Sequence, residues 1–232
     1  MKPKYNMEKN KATVKYQAVI FDLDGTVLDT LDDLTESVNY AMRALGYPQR
    51  TRQEIRSFVG NGIMRLIERS LPKQADRKAV EGAYDIFCVH YAEHNADKTR
   101  PYPGIVSLLR DLRAAGVQTA VVSNKAEFAT ESLCRKFFDD SLSVVIGARE
   151  GLPPKPDPSG TNLAIGEMGA KKGRTLYVGD SDTDFLTAEN AGLDCVLVSW
   201  GFRERKFLEQ FKEAEIVDTP EQLREAVFCE EE

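Results

Sequence analysis

The sequence predicts an α/β protein whose core is a Rossmann-like, three-layer arrangement around a parallel sheet, with a small all-helical domain inserted into it. Short apolar runs rich in β-branched residues recur along the chain without strict alternation, which is typical of strands that helices cover on both faces. Helical patterns separate these runs. About ninety residues lie between the first run and the second, far more than the dozen or so that a crossover connection needs, and this length indicates an insertion.

Five apolar runs are the predicted strands, and the segment before the second run is the clearest helix between them. That segment, GIVSLLRDLRAAG at residues 104–116, places four apolar side chains on one helical face. It ends at Gly116, where the left-handed conformation that closes helices costs little. We therefore predict a helix that crosses between two parallel strands. The predicted strands cover residues 18–24, 117–124, 143–148, 175–180 and 195–200.

The inserted domain is predicted to be helical from residue 31 to residue 97. Thr30 precedes an apolar pattern of helical spacing and has Asp33 three residues later, an arrangement in which the threonine can cap the helix. The sequence TRQE at 51–54 has the same form and predicts a second helix start. A third helical segment is predicted over much of residues 75–94.

The remaining boundaries define the core domain. RPYPG at 100–104 is predicted to be the hinge through which the chain returns from the insert. The first fifteen residues are polar and rich in lysine, without the apolar stretch of a secretory signal, so we expect a flexible lead. The predicted division is a lead of residues 1–15, a core domain of residues 16–30 and 98–228, and a helical domain of residues 31–97.

The composition narrows the possible partners of the protein. Acidic residues outnumber basic ones by 37 to 31, so the chain lacks the basic excess that follows a nucleic-acid backbone. No segment approaches the roughly 20 apolar residues that cross a bilayer. The four cysteines are far apart and lack CxxC spacing, which favours reduced thiols in a cytoplasmic protein. We expect a small-molecule partner, no nucleic acid and no membrane, and the sequence leaves monomer and homodimer open.

The first predicted strand ends in two aspartates, Asp22 and Asp24. Side chains two residues apart in a strand project to the same side, so both carboxylates would face one region. Two carboxylates at such short range repel each other unless a cation or a shared proton compensates. An ordinary Asp-Gly turn is the simpler interpretation of this motif when it is taken alone.

The fourth predicted strand ends in a second acidic motif, GDSDTD at 179–184. The carboxyl ends of parallel strands line one crevice, so Asp180 and Asp184 are predicted to approach Asp22 and Asp24. Carboxylate oxygens without histidine or cysteine favour Mg²⁺ over zinc or copper. The alternative for this motif alone is a solvated acidic turn that caps the next helix.

Two further strand ends offer groups that bind anions. Ser123 and Asn124 supply a hydroxyl and nearby backbone N–H groups. Lys155 lies in LPPKPDP at 152–158. The prolines make this segment stiff and extended, so the lysine ammonium is held in one direction. Each motif alone also fits a helix cap or a surface loop. Together the four motifs supply a metal site, a second carboxylate, a hydroxyl and a cation, which suit phosphoryl transfer.

As a set, these motifs resemble those of the haloacid dehalogenase superfamily. DxDGT at 22–26, Ser123-Asn124, Lys155-Pro156 and GDSDTD at 179–184 match its four motifs in order, and the resemblance covers nearly the whole chain. The helical insert resembles the C1 cap of that superfamily. Within it, FVGNGIMRLIERSL at 58–71 and the segment PYPGIVSLLRDLRAAG are similar to parts of phosphoglycolate phosphatases.

The resemblance implies a role for each matching residue. Asp22 would attack phosphorus and become an aspartyl phosphate, while Asp24 would protonate the departing oxygen and then take a proton from the hydrolytic water. Because dehalogenation needs no such acid, Asp24 favours a substrate that is an oxygen ester. The implied Mg²⁺ ligands are Asp22, Asp24 through its backbone carbonyl, Asp180 and Asp184, and the implied phosphate-binding residues are Ser123, Asn124 and Lys155.

The insert contains the candidates for recognising the non-reacting end of a substrate, Asn61 and Arg65. An arginine there could pair a carboxylate in bidentate fashion, which suits glycolate phosphate, although Arg65 fits a solvated helix residue equally well. His90 and His94, at i and i+4, fit a structural pair better than a metal site.

The expected function is Mg²⁺-dependent hydrolysis of a small phosphate monoester through an aspartyl-phosphate intermediate, as in phosphoglycolate phosphatases. The same residues also permit a sugar phosphomutase of the β-phosphoglucomutase type, a pyrophosphatase or a nucleotidase. A different class of alternative is a non-catalytic α/β protein whose acidic cluster stores a cation.

Overall fold

The computed structural model describes residues 13–229, and its core is one parallel sheet with helices on both sides. Six strands form this sheet, and all five of their pairings are parallel. Two further pairs of short strands lie outside it. The strands are β1 (Thr13–Val14), β2 (Ala18–Phe21), β3 (Leu28–Asp29), β4 (Arg100–Pro101), β5 (Gln118–Ala126), β6 (Val144–Ala148), β7 (Thr175–Gly179), β8 (Asp194–Val198), β9 (Glu215–Val217) and β10 (Phe228–Cys229).

The α-helices fall into two groups, four in the insert and six in the core. Two short 3-10 turns, Asp139–Ser141 and Lys172–Arg174, complete the helical segments. Within the described residues no helix combines the length and the apolar character that crossing a membrane requires. The helices are α1 (Leu31–Ala44), α2 (Arg52–Phe58), α3 (Ile63–Ser70), α4 (Arg77–His94), α5 (Ile105–Ala114), α6 (Glu127–Phe138), α7 (Ser159–Met168), α8 (Asp182–Ala191), α9 (Arg205–Leu208) and α10 (Pro220–Val227).

The central strand β2 shows why the predicted strands lack an alternating pattern. Val19 and Phe21 pack on one side of the sheet, with α5 and α10, whereas Ala18 and Ile20 pack on the other side, with α7 and α8. All four side chains are fully buried. Because both faces of the strand meet apolar helices, every position favours an apolar residue. The predicted three-layer α/β fold is therefore confirmed.

The sixth strand of the sheet, β9, is absent from the sequence-based prediction. It has three residues, and only Val217 among them is buried. A short edge strand of this kind carries too little apolar pattern to be recognised from sequence.

The predicted lead of residues 1–15 falls mostly on residues 1–12, which lie outside the described residues. Its last residues are paired: β1 runs antiparallel to β10, and the backbone N–H of Lys15 donates to the carbonyl oxygen of Val227 at 3.1 Å. The described part of this segment is therefore attached to the core.

The insert has an apolar core formed by side chains from all four of its helices, to which Phe202 of the core domain also contributes. Its two connections to the sheet pair with each other, because β3 and β4 form an antiparallel ladder. Asp33, at the start of α1, reinforces this junction: its buried carboxylate accepts hydrogen bonds from the backbone N–H groups of Lys98 and Thr99 and from the Thr99 hydroxyl. The first turn of the insert thus holds the segment that leaves it.

The two predicted helix caps have different outcomes. At α2, Thr51 and Glu54 form the reciprocal capping box, with the threonine hydroxyl accepting from the Glu54 N–H and the glutamate accepting from the Thr51 N–H. At α1 the prediction is wrong, because the Thr30 side chain makes no capping bond. Its hydroxyl instead donates to Asp24 Oδ1 at 2.6 Å. The Thr30 hydroxyl thus bonds to the Asp24 side chain rather than to a backbone N–H of its own helix.

Candidate active site

The candidate site lies where the strand order of the sheet reverses. The order is β6-β5-β2-β7-β8-β9, so the chain proceeds from β2 toward one edge and from β7 toward the other. In open α/β sheets, ligands bind beyond the carboxyl ends of the strands at this point. Asp22 follows β2 directly, and Asp180 follows β7 directly. The sheet alone therefore brings the two acidic motifs together.

Three carboxylates form a buried cluster at this point, contributed by Asp22, Asp180 and Asp184. Each offers one oxygen, and these oxygens lie within 4.8 Å of one another. Burial raises the pKa of Asp22 to about 7, with Lys155 opposing the shift and Asp184 adding to it. Burial, followed by the charges of Asp184 and Asp22, also raises the pKa of Asp180 well above its ordinary value. Such a cluster of hard oxygen donors fits a divalent cation such as Mg²⁺.

Glycines make room for two of these carboxylates. A Cβ on Gly25 or on Gly201 would lie 2.4 Å from Asp180 Oδ2, and a Cβ on Gly179 would lie 2.2 Å from the Cβ of Asp184. Gly25 also has a φ of +92°, which other residues rarely adopt. The acidic cluster therefore depends on backbone that approaches it without side chains.

Lys155 is the cation of the cluster. Its Nζ lies 2.7 Å from Asp22 Oδ1 and 2.7 Å from Asp184 Oδ1. Burial disfavours the ammonium, but the two carboxylates outweigh burial, and the pKa of Lys155 is well above its ordinary value. Asn124 fixes the lysine backbone, since its Oδ1 accepts from Lys155 N–H at 2.7 Å and its Nδ2 donates to the Lys155 carbonyl at 3.0 Å.

Ser123 also lies on the wall of the cavity, near the carboxyl end of β5. Its hydroxyl oxygen accepts a hydrogen bond from the backbone N–H of Lys125 at 3.2 Å. The structure thus places Ser123 beside the cluster, whereas Asn124 holds the loop of Lys155 as well as lining the cavity.

Asp24 has different partners from the other aspartates. Lys125 Nζ lies 3.0 Å from both of its carboxylate oxygens, and Thr30 donates to one of them. The sequence-based prediction missed Lys125. A signal for it existed, because residues two apart in a strand project to the same side, and Lys125 follows Ser123 by two positions in β5.

The cavity above these groups encloses about 620 Å³ when the part that opens to solvent is counted. Its two sides differ in chemistry. We call the charged residues from the core the cavity floor and the apolar residues from the insert the cavity roof. The floor consists of Asp22, Asp24, Lys125, Lys155, Asp180 and Asp184, and the roof consists of Leu34, Val59, Ile63 and Leu66.

The structure does not bring Asn61 or Arg65 to the cavity wall. Asn61 Nδ2 donates to the Thr183 hydroxyl at 3.3 Å, and Asn61 Oδ1 accepts from Arg69 at 2.8 Å. Arg65 has a side chain that is 65% exposed and paired with Glu68 at 2.7 Å. Of the two interpretations of Arg65, the geometry matches the solvated helix residue.

Arg203 is the arginine that lines the cavity. It follows β8 and donates to the carbonyl oxygens of Arg56 and Val59 in the insert, at 3.3 and 2.9 Å. Arg56 donates in return to the carbonyl oxygens of Gly201 and Phe202. No local pattern marks Arg203, because its partners in the insert lie 147 and 144 residues earlier.

The histidine pair of the insert is part of a surface cluster. His90 Nδ1 lies 2.9 Å from the Ser37 hydroxyl, and His94 Nδ1 lies 2.8 Å from Asp97 Oδ2. The acidic cluster of the cavity is the one group of potential metal ligands found among the described residues, and neither histidine belongs to it.

The fold and the site together define a class of α/β hydrolases. The family model of haloacid dehalogenase-like hydrolases matches residues 19–198, and the chain belongs to this family. The chain is 32% identical to a phosphoglycolate phosphatase of Pseudomonas syringae pv. tomato, over 86% of this chain and 75% of the relative. It is 30% identical to a phosphoglycolate phosphatase of Psychrobacter arcticus, over 87% of this chain and 91% of the relative. A protein of Lactobacillus delbrueckii subsp. bulgaricus with a crystal structure is 35% identical to this chain in sequence. The two structures superpose with a TM-score of 0.89, over 93% of this chain and 100% of the other.

Proposed function

We propose that this protein is a Mg²⁺-dependent phosphatase that hydrolyses a small phosphate monoester through an aspartyl phosphate on Asp22. The observation that carries the proposal is the geometry of the floor: a carboxylate at the strand reversal, paired with a buried lysine and set among further carboxylates. Phosphoryl transfer depends on such groups, because negative charge on several phosphate oxygens must be neutralised.

In the first step, an oxygen of Asp22 forms a bond to phosphorus while the bond between phosphorus and the ester oxygen breaks. Asp24 gives its proton to that oxygen, so the alcohol leaves neutral. Ser123 and Lys155 hold the phosphoryl oxygens in place. The contacts of Asp24 differ from those of Asp22, since Asp24 lies against Lys125 and Thr30 whereas Asp22 lies against Lys155.

In the second step, the carboxylate of Asp24 takes a proton from water while the water oxygen bonds to phosphorus. The bond between phosphorus and the Asp22 oxygen breaks, which releases inorganic phosphate and restores both aspartates. The apolar roof limits the access of other water molecules to the intermediate.

Mg²⁺ would be held by Asp22, Asp180 and Asp184 together with the backbone carbonyl of Asp24. When bound, the ion supplies positive charge to the phosphate and relieves the repulsion among the buried carboxylates.

The substrate we propose is 2-phosphoglycolate or a close analogue. The relatives reported above are phosphoglycolate phosphatases. The insert offers no polar side chain to bind the hydroxyl groups of a sugar, because it lines the cavity with Leu34, Val59, Gly60, Gly62, Ile63 and Leu66. This roof favours a small ester over the sugar phosphate of a mutase. Arg203, rather than Arg65, is the arginine placed to pair with a substrate carboxylate.

A screen of small phosphate esters tests the proposal. Purified protein with Mg²⁺ should release phosphate from 2-phosphoglycolate faster than from p-nitrophenyl phosphate, and a chelator should stop both reactions. Asp22→Asn should lower kcat by more than about a thousandfold, because no other group in the site replaces the nucleophile.

Asp85→Asn is the matched control, since Asp85 is an exposed aspartate of the insert that does not line the cavity. This variant should retain turnover. Absence of turnover on every ester by folded protein would refute the proposed function, and equal rates on 2-phosphoglycolate and the aryl ester would refute the proposed substrate.

A further inference from the structure

Lys125 is a buried cation that the two steps above do not use. Its side chain is 2% exposed, and its Nζ lies at the same distance, 3.0 Å, from both oxygens of Asp24. A buried ammonium persists only with well-placed partners, and a symmetric contact of this kind restricts the carboxylate to one orientation. The ion pair therefore fixes how Asp24 faces the cavity.

The two oxygens of Asp24 have unequal sets of donors. Oδ1 accepts from the Thr30 hydroxyl at 2.6 Å and from Lys125, whereas Oδ2 accepts from Lys125 alone. An oxygen that exchanges a proton with substrate needs a free lone pair. Oδ2 meets this condition better than Oδ1, because it has one donor fewer.

The insert completes the enclosure of Lys125. Tyr91, which belongs to α4 and is 1% exposed, places its ring centroid 4.7 Å from the Lys125 ammonium. A cation over an aromatic ring at this distance is stabilised without losing its charge. Lys125 thus lies between the proposed acid of the core and an aromatic side chain of the insert.

We propose that Lys125 is the positioning residue for Asp24, holding its carboxyl group so that Oδ2 passes the proton to the leaving oxygen. This inference rests on the proposed function and adds a residue to it. Lys125 touches neither the ester nor the nucleophile in this assignment; it acts through Asp24.

The dependence on the leaving group tests this role. An alkyl ester such as 2-phosphoglycolate needs a proton on its departing oxygen, whereas p-nitrophenolate leaves without one. Lys125→Met should therefore lower kcat/KM for 2-phosphoglycolate about a hundredfold and for p-nitrophenyl phosphate less than about tenfold. Lys125→Arg, which keeps a cation, should restore part of the rate on the alkyl ester.

Two comparisons control the experiment. Lys212→Met removes an exposed lysine and should leave both values of kcat/KM unchanged. The double variant Asp24→Asn with Lys125→Met removes both charges of the pair, so it leaves no buried charge without a partner. If Lys125 acts through Asp24, this double variant is no slower on 2-phosphoglycolate than Asp24→Asn alone.

Equal losses on the two esters in Lys125→Met would overturn the proposal, since they would indicate a general structural role. A double variant much slower than Asp24→Asn alone would overturn it as well, and this comparison also decides the case if Lys125→Met fails to fold. Failure of the proposed function is distinguishable, because the unmodified protein would then hydrolyse neither ester.

Discussion

The floor and the roof of the cavity use opposite physical chemistry. The ionic side chains of the floor lie at strand ends, in the loops that follow them or, for Asp184, in the first turn of α8, and the buried cations each contact a carboxylate. The roof presents apolar side chains from helices that share their own core. Burying charges costs free energy, whereas burying apolar surface lowers it. The comparison indicates that the floor is arranged for reaction and the roof for stability and selection.

Among changes that leave the reacting side chains in place, the largest expected effect comes from disturbing the floor at Gly25. A Cβ on this residue would lie 2.4 Å from Asp180 Oδ2, so Gly25→Ala must displace that carboxylate. We expect kcat to fall about a hundredfold, because small displacements of reacting groups have effects of this size. Steady-state kinetics with saturating Mg²⁺ measures the loss.

Gly46→Ala is the matched control in the insert. Gly46 also has a positive φ, +73°, but a Cβ there would meet nothing within 4 Å. This variant should lose about 1 kcal/mol of stability from backbone strain and keep its kcat. Similar kinetic losses in both variants would contradict the distinction between floor and roof.

The second prediction concerns the pH dependence of metal binding to the floor. The pKa of Asp22, about 7, lies above the usual range for an aspartate. In the metal-free protein, the free energy of unfolding should therefore fall as the pH rises from about 4 to about 7, because the folded state must give up this proton. A cation binds the ionised form and must displace the proton below that pKa. Mg²⁺ affinity should therefore be about thirtyfold weaker at about pH 5.5 than at about pH 8.

Calorimetric titration of the protein with Mg²⁺ at several pH values checks this expectation, with proton release measured from buffers of different ionisation enthalpy. Asp22→Asn removes one of the two cluster carboxylates whose pKa is raised and should reduce the pH dependence, while Asp180 maintains the remainder. An affinity that does not change over this pH range would show that Asp22 is ionised in the metal-free protein.

The third and smallest effect concerns selection at the edge of the roof. Arg203→Met should raise KM for 2-phosphoglycolate about tenfold, because a carboxylate would lose its cationic partner. KM for 2-hydroxyethyl phosphate, which lacks the carboxylate, should change much less. Loss of the contacts that Arg203 makes with the insert would change KM for both esters, whereas loss of carboxylate recognition would change KM for 2-phosphoglycolate alone. The ratio of the two KM values therefore separates the two effects.

Arg65→Met is the companion variant, since Arg65 is the arginine that the sequence suggested. Its exposed side chain pairs with Glu68, so its loss should leave both KM values unchanged. The opposite result, with Arg65→Met raising KM for 2-phosphoglycolate alone, would reverse the assignment.

The fold was predictable to the extent that local patterns define it. Each of the five predicted strands matches an observed strand, since its side chains are buried on both faces of the sheet. The sixth, β9, escaped prediction because three residues at an edge carry little pattern. Thr51 and Glu54 form the expected cap because both partners lie within one helical turn.

The site was predictable where a motif follows directly from a strand end. Asp22 and Asp180 meet because parallel strands present their carboxyl ends at one edge, and this follows from sequence and topology alone. Lys125 was missed although its position two residues after Ser123 gave a signal. Arg203 gave none, because it meets the insert only through contacts with residues far away in sequence.

The sequence by itself determined the α/β core, the place of the helical insert and the four motifs, because periodicity and strand-end position are properties of neighbouring residues. The tertiary structure decided which polar groups pair. Thr30 has the sequence of a helix cap but binds Asp24. Arg65, which the sequence left open between a substrate ligand and a solvated helix residue, faces solvent. These choices depend on how the insert packs against the core, and that packing brings together residues that no local pattern relates.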